Sequence, residues 1–353
     1  KLYTTGVFQD HVVKSTSLFA PLSTFFGFVF HGALITLAIA RRRQLPIVAF
    51  AILFFYASHL LESTTLNLEM YFEHRNYMAV AFLFLPLIVF LAGRLNRRMA
   101  IVVTVAVLGL LGGFTRYSAT VWSDYELMLA AAAVKAPMSA RAQSQHAINL
   151  FNAARHDEAV QVLDRAIENI PGDSTQLLVT RLIVLCNLRR LQATDIEVLT
   201  SRLAPKLYDT RYLSFYSDLA QALSEGRCPV VGIDQLRPVF AAMLDNPLNQ
   251  DGLALSHLHY LAGYVDLKTG RREDAFGSFS AALEAKPDAG SAMTMAALMA
   301  TAGYFEEAIE LSERALDYLG IESRGVRLGM KVTEADIHEF QRVVRADIEA
   351  SGS

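Results

Sequence analysis

Residues 259–287 read HYLAGYVDLKTGRREDAFGSFSAALEAKP, and this stretch decides the fold of the larger part of the chain. The stretch reads as a pair of helices with small residues at fixed places, Gly263, Gly270, Ala275 and Ala282. Gly263, Ala275 and Ala282 are small enough to let those helices approach closely, Phe279 fills the cleft, and Pro287 ends the second helix. The pattern returns: Gly303, Ala308 and Ala315 each follow their counterparts Gly270, Ala275 and Ala282 by 33 residues. An earlier segment ending in IENIP carries it again with Ala147, Ala159, Leu163, Ala166 and Pro171. The stretch between, about residues 174 to 250, reads as further helix pairs with poorer matches and longer connections.

These positions resemble the tetratricopeptide pattern, whose period is about 34 residues. The resemblance implies a curved α-solenoid with a groove that takes a protein or peptide; the alternative is an array that only scaffolds the rest of the chain. No phosphate-binding Gly-Lys-Ser/Thr loop, HExxH or Gly-x-Ser-x-Gly is present. His146, His156, His257 and His259 are scattered, and neighbours two apart on a helix do not share a face, so no metal is expected. Cys186 and Cys228 are the only cysteines; in an oxidising compartment they are expected to form a disulfide across the irregular middle section.

Ahead of Trp122 the character changes. The whole chain is 53% hydrophobic and 19% charged with a net charge of −3, which excludes disorder and an electrostatic nucleic-acid binder. Most of that apolar excess lies in residues 1–122, in four stretches near Ser23–Ala40, Leu45–Leu61, Met78–Ala92 and Met99–Phe114. A spanning helix needs roughly 20 apolar residues, so four membrane spans are expected, the third of them short. Arg41, Arg42 and Arg43 follow the first stretch, and Arg94, Arg97 and Arg98 follow the third. Short arginine-rich loops mark the cytoplasmic side, so both ends of the chain are expected outside. The opening at Lys1 has no leader pattern, and the chain is read as the later part of a longer protein.

The expected outer loop, HLLESTTLNLEMYFEHRNY over residues 59–77, concentrates charge at a membrane boundary. On a continuous helix Glu62, Glu69 and Glu73 fall within about 40° of one another. Arg75 offers a planar fork suited to phosphate or carboxylate, with His74, Asn76 and Tyr77 beside it. The alternative is a solvated loop with local Glu–Arg pairs, Tyr71 and Tyr77 sitting at the interface.

The run HLLESTTLNLEMYFEHRNYM, preceded by RRRQLPIVAFAILFFYAS and KSTSLFAPLST, resembles the C-terminal membrane half of bacterial transmembrane-and-tetratricopeptide O-mannosyltransferases, of the GT-C glycosyltransferase class. Glu73, His74, Arg75 and Tyr77 match a Glu-His-Arg-x-Tyr stretch of that group, and Arg116 and Trp122 a later segment. The resemblance implies sugar transfer from a polyprenyl-phosphate-linked donor to a protein or peptide acceptor, in the inner membrane of a bacterium with the repeats periplasmic. It makes Glu62, Glu69, Glu73, His74, Arg75, Asn76 and Tyr77 candidates for donor phosphate or substrate. The catalytic acid of GT-C enzymes lies ahead of anything in this chain, as would any divalent metal of the parent, so no cofactor is expected here. The expected architecture is therefore all-α: a four-span segment over residues 1–122, a repeat solenoid over 123–325 and a C-terminal helix or tail over 326–353. A membrane-anchored, non-catalytic scaffold is the competing reading.

Overall fold

The computed structural model describes residues 15–60, 76–170, 175–322 and 332–351. Among them the chain is all-α, with only an isolated bridge between Ser17 and Ala20 outside helices and turns. Its internal contacts divide it into two units, residues 1–146 and 147–353.

The first unit begins with α1 (Leu22–Arg41) and α2 (Pro46–Leu60), a proline-started helix. They pack together where Ala38, Ala49 and Ala51 are buried, and His31 Nδ1 lies 2.6 Å from the Tyr56 hydroxyl. After α3 (Asn76–Val80) the backbone turns through residues 81–84 before α4 (Leu85–Arg94). Pro86 explains the break: it supplies no N–H, and its ring opposes helical backbone four residues earlier. Helix α5 (Arg97–Ser123) is capped by Asn96, whose side chain accepts from Met99 N, and Asp124 caps α6 (Tyr125–Lys135) in the same way.

Where four spans are expected, two helices among the described residues are long and apolar enough to cross a bilayer, α1 and α5. Among the described residues the second stretch forms a helix of 15 residues, and the third is divided at residues 81–84. Both α1 and α5 carry apolar surface that the described residues leave uncovered. Phe26, Phe28, Phe30, Val105, Leu108 and Leu110 are all exposed, and none of the apolar window of α5 is buried. Water does not tolerate a helix that is apolar all round; lipid or other protein must cover it.

The second unit starts within α7 (Ala140–Asn152) and continues through α8 (His156–Asn169), α9 (Thr175–Asn187), α10 (Ala193–Leu203), α11 (Leu213–Ser224) and α12 (Arg237–Leu244). There follow α13 (Gly252–Lys268), α14 (Arg272–Ala285), α15 (Ala289–Thr301), α16 (Phe305–Glu322) and α17 (Glu334–Ser351). One turn recurs through it. After α13, Gly270 N donates to Leu267 O and Arg271 N to Asp266 O, closing the helix with one left-handed residue. The same two bonds recur at Ala154–Arg155, Arg189–Arg190, Gly226–Arg227 and Gly303–Tyr304. The repeat is therefore a series of helix hairpins, including the middle stretch where the small-residue pattern fades. There, the second helix of the α11 hairpin is delayed by a 3-10 turn at Ile233–Leu236 that runs into α12.

The hairpins close on small residues. Ala275, Phe279 and Ala282 of α14 are fully buried, as are Ala308 and Ala315 of α16 and Ala159 and Leu163 of α8. Each of these second helices opens on two acidic residues that complement the positive helix end: Asp157 and Glu158, Glu273 and Asp274, Glu306 and Glu307. Ions tie neighbours together. Asp266, 3% exposed, accepts from Arg271 Nε at 2.8 Å and faces Arg237 Nε at 3.0 Å, while Arg237 Nη2 reaches Asp274 at 2.9 Å. This network joins α12, α13 and α14. At the far end α17 buries Ile337 and Val344, and Gln341 Nε2 donates to Ser312 Oγ at 3.0 Å, closing the last hairpin with a lone helix.

Gly263 tests the packing argument. A Cβ there would lie 2.6 Å from Phe279 Cδ1 and 3.2 Å from the Ala275 carbonyl, whereas one at Gly277 meets nothing within 4 Å. Gly263→Ala should destabilise by about 1–3 kcal/mol through overpacking. Gly277→Ala, in an open helix interior, should stabilise by roughly 0.5–1 kcal/mol. Urea midpoints of the two variants decide it, and equal shifts would refute the close-approach role.

Candidate functional site

The outer loop that sequence marks most strongly, with Glu62, Glu69, Glu73, His74 and Arg75, lies outside the described residues. Asn76 opens α3, and Tyr77 beside it is 75% exposed. Cys186 and Cys228 are joined by a disulfide, Cα atoms 4.8 Å apart, both buried in the core built by α9 to α13. It fastens the end of α9 to the segment entering the delayed 3-10 turn.

Among the described residues no three His, Cys, Asp or Glu side chains gather as a metal site. His156 lies against Phe151, ring centroids 5.3 Å apart, and His257 and His259 point about 200° apart around α13.

The surface that stands out is a stripe on α13. His257, Tyr260, Tyr264 and Lys268 fall within about 80° of one another at 100° per residue. On one side of the stripe Gly263 and Leu267 are buried; on the other Ala254, Leu258, Leu261 and Val265 are buried. The stripe occupies the gap between these two packed faces, with its aromatic rings half-buried and Lys268 exposed. Its side chains are held in place. The Tyr208 hydroxyl lies 3.4 Å from His257 Nδ1, with the rings edge to face. Tyr260 rests on Phe279, and the Lys268 ammonium sits 5.5 Å over the Tyr264 ring. Burial, and secondarily Asp209, pushes the Tyr208 phenol well above its ordinary range, so it remains a hydrogen-bond donor throughout physiological pH. Burial first and the Lys286 ammonium second hold His257 below its ordinary range, so its imidazole is neutral.

The stripe thus offers aromatic faces, a neutral imidazole, phenol hydroxyls and one cation, which is equipment for binding. Tyr208, Tyr260 and Tyr264 belong to no motif in the sequence, and His257 stands there only as one of four scattered histidines. The signal that could have found them is the i, i+3, i+7, i+11 spacing of His257, Tyr260, Tyr264 and Lys268. Tyr208 could not be found this way, because it arrives from a loop 49 residues before His257.

No family model and no curated protein matches the chain. Among solved structures, a thermophilic TPR protein of Thermus thermophilus is similar at 18% identity, covering 59% of this chain and all of that one, with a TM-score of 0.32. The assignment as a helical repeat rests on the recurring turns and hairpins of the chain itself.

Two outcomes follow from this geometry. The disulfide closes a sequence separation of 42 residues, for which loop-closure entropy implies about 4 kcal/mol. Cys186→Ser should lower the denaturation midpoint accordingly and abolish the mobility difference between reduced and non-reduced protein on gels. His257 gives a pH dependence. Because its folded pKa is depressed, the unfolded chain takes up the proton first, so stability is full above about pH 6.5 and falls as pH drops from there through the lower folded value. Burial, opposed by Glu284, depresses His259 as well and adds to the same window. His257→Gln should flatten part of that fall in urea midpoints; an unchanged slope removes His257 from the account.

Proposed function

We propose that the chain is a membrane-anchored helical-repeat module that binds a protein or peptide segment along the α13 stripe. The observation that supports this reading is the placement of His257, Tyr260, Tyr264 and Lys268 between two packed faces of one helix in a series of hairpins. Tyrosine presents a large, stiff contact surface at small entropic cost, and its hydroxyl can bond to a peptide backbone. Stacked hairpins commonly supply the long concave surface on which such contacts accumulate. At the positions 33 residues on, the counterparts are Gly290, Met293, Ala297 and Thr301, so the aromatic and cationic groups are particular to α13.

Anchoring is supported by the exposed apolar surface of α1 and α5 and by the arginines at their ends, Arg41 to Arg43 and Arg97 to Arg98. With those arginines cytoplasmic, the C-terminal end of α5 emerges on the opposite side, and the repeat unit lies in the compartment where the Cys186–Cys228 bond persists. Glycosyl transfer from a polyprenyl-phosphate donor stands on the sequence resemblance alone and draws no support from the described residues or the comparisons.

Photo-crosslinking in cells tests the binding surface. A benzophenone amino acid at Tyr264 should give a discrete protein adduct, lost on His257→Ala, whereas the same group at Glu273 on the exposed face of α14 should give none. Equal adducts at both positions, or none at Tyr264 in folded protein, would overturn the stripe as the binding surface.

A further inference from the structure

The α13 stripe has a cation at each end. Lys268 closes the helix, its ammonium over the Tyr264 ring. Lys286 follows α14, and α14 ends against the start of α13: a Cβ on Gly252 would lie 2.7 Å from the Ala285 carbonyl oxygen. That contact brings Lys286 to the His257 end of the stripe, where its charge helps to keep the imidazole neutral. Both lysines are exposed, and among the described residues neither is paired with a carboxylate. The arginines of the same region differ. Arg237 and Arg271 share Asp266, Arg272 meets Glu306 and Glu307, and Arg314 meets Glu310. Asp251 and Asp288 are used in capping α13 and α15. The charge of Glu284 is felt at His259, which points about 200° away from His257 around α13. Lys268 and Lys286 are thus positive charge that the fold itself does not use, at opposite ends of one aromatic stripe.

We propose that the partner of the α13 stripe is an acidic segment in extended conformation, with one carboxylate at Lys286 and a second at Lys268. The proposal rests on the binding reading above and gives that surface a ligand chemistry. Its register follows from the helix. His257 and Lys268 are eleven residues apart, or ~16 Å at 1.5 Å per residue. An extended chain covers that distance in about five residues at ~3.3 Å each. The extended form follows from the groups between the two ends. The hydroxyls of Tyr260 and Tyr264 can bond only to backbone that still has free N–H and C=O groups, and a helix has spent its own. The stripe is also a single row of side chains between two packed faces, a width that suits one strand better than a helix ~10 Å across.

The probe is a library of random peptides of about sixteen residues displayed on phage, selected on the full chain in phosphatidylcholine nanodiscs. A selected peptide is scored as bound to the stripe when it crosslinks to a benzophenone in place of Tyr264 and not to one in place of Glu273. Stripe-bound peptides are expected to be enriched in pairs of Asp or Glu four to six residues apart. Lys268→Gln and Lys286→Gln, both at exposed positions, should each weaken such a peptide about two- to fivefold, and together roughly tenfold, as exposed ion pairs do. In selections on Lys268→Glu, the acid at that end should give way to Lys or Arg. Stripe-bound peptides without paired acids, or indifferent to both lysine substitutions, overturn the acidic partner and leave the α13 binding surface standing. Acids paired ten to twelve residues apart mark a helical partner and overturn the extended form. If no selected peptide crosslinks at Tyr264, the binding surface falls, and the acidic partner with it.

Discussion

Every hairpin in the repeat unit depends on a paired backbone hydrogen bond at the end of its first helix, made possible by one residue in the left-handed conformation. Gly270, Gly303 and Gly226 adopt it without a Cβ penalty; Ala154 and Arg189 adopt it against one, of roughly 1–2 kcal/mol. That the fold accepts this cost twice shows how strongly the flanking burial favours the reversal. The turn sets the direction of the returning helix, and the direction brings Ala275, Ala282 and Phe279 against Gly263. Without the turn there is no face for the next hairpin to pack on.

This also explains how much of the fold was legible. Where glycine marks the turn, at residues 270 and 303, the period of 33 announces itself. Where alanine or arginine takes the same backbone shape, at 154 and 189, nothing in the residue types signals it, because the conformation is imposed by packing rather than by intrinsic preference. The middle section looked irregular for that reason, and because Cys228 and the 3-10 turn delay α12. The spans were over-read for an opposite reason. Hydropathy sums apolar residues without regard to the single proline, Pro86, that divides the third stretch.

The site was less legible than the fold. Charge density drew attention to Glu62, Glu69, Glu73 and Arg75, residues the structure does not describe. The tyrosines of α13 went unremarked because aromatic residues at helical spacing usually belong to a core. Only the distribution of burial around α13 separates the two cases: a core aromatic lies within a packed face, whereas His257, Tyr260 and Tyr264 lie between two. Asn246 and Asn249 illustrate the same limit. As letters they are loop residues; as placed, they are buried braces between segments about 40 residues apart in sequence.

The Cys186–Cys228 bond has a mechanical consequence. A solenoid fixed at one end and held by a partner at another is placed under tension, and such arrays yield by releasing one hairpin after another. The covalent link short-circuits the 42-residue stretch between the two cysteines, removing about 140 Å of extensible chain from the load path at ~3.4 Å per residue. Tension passes from the end of α9 straight to the segment that enters α12, bypassing α10 and α11.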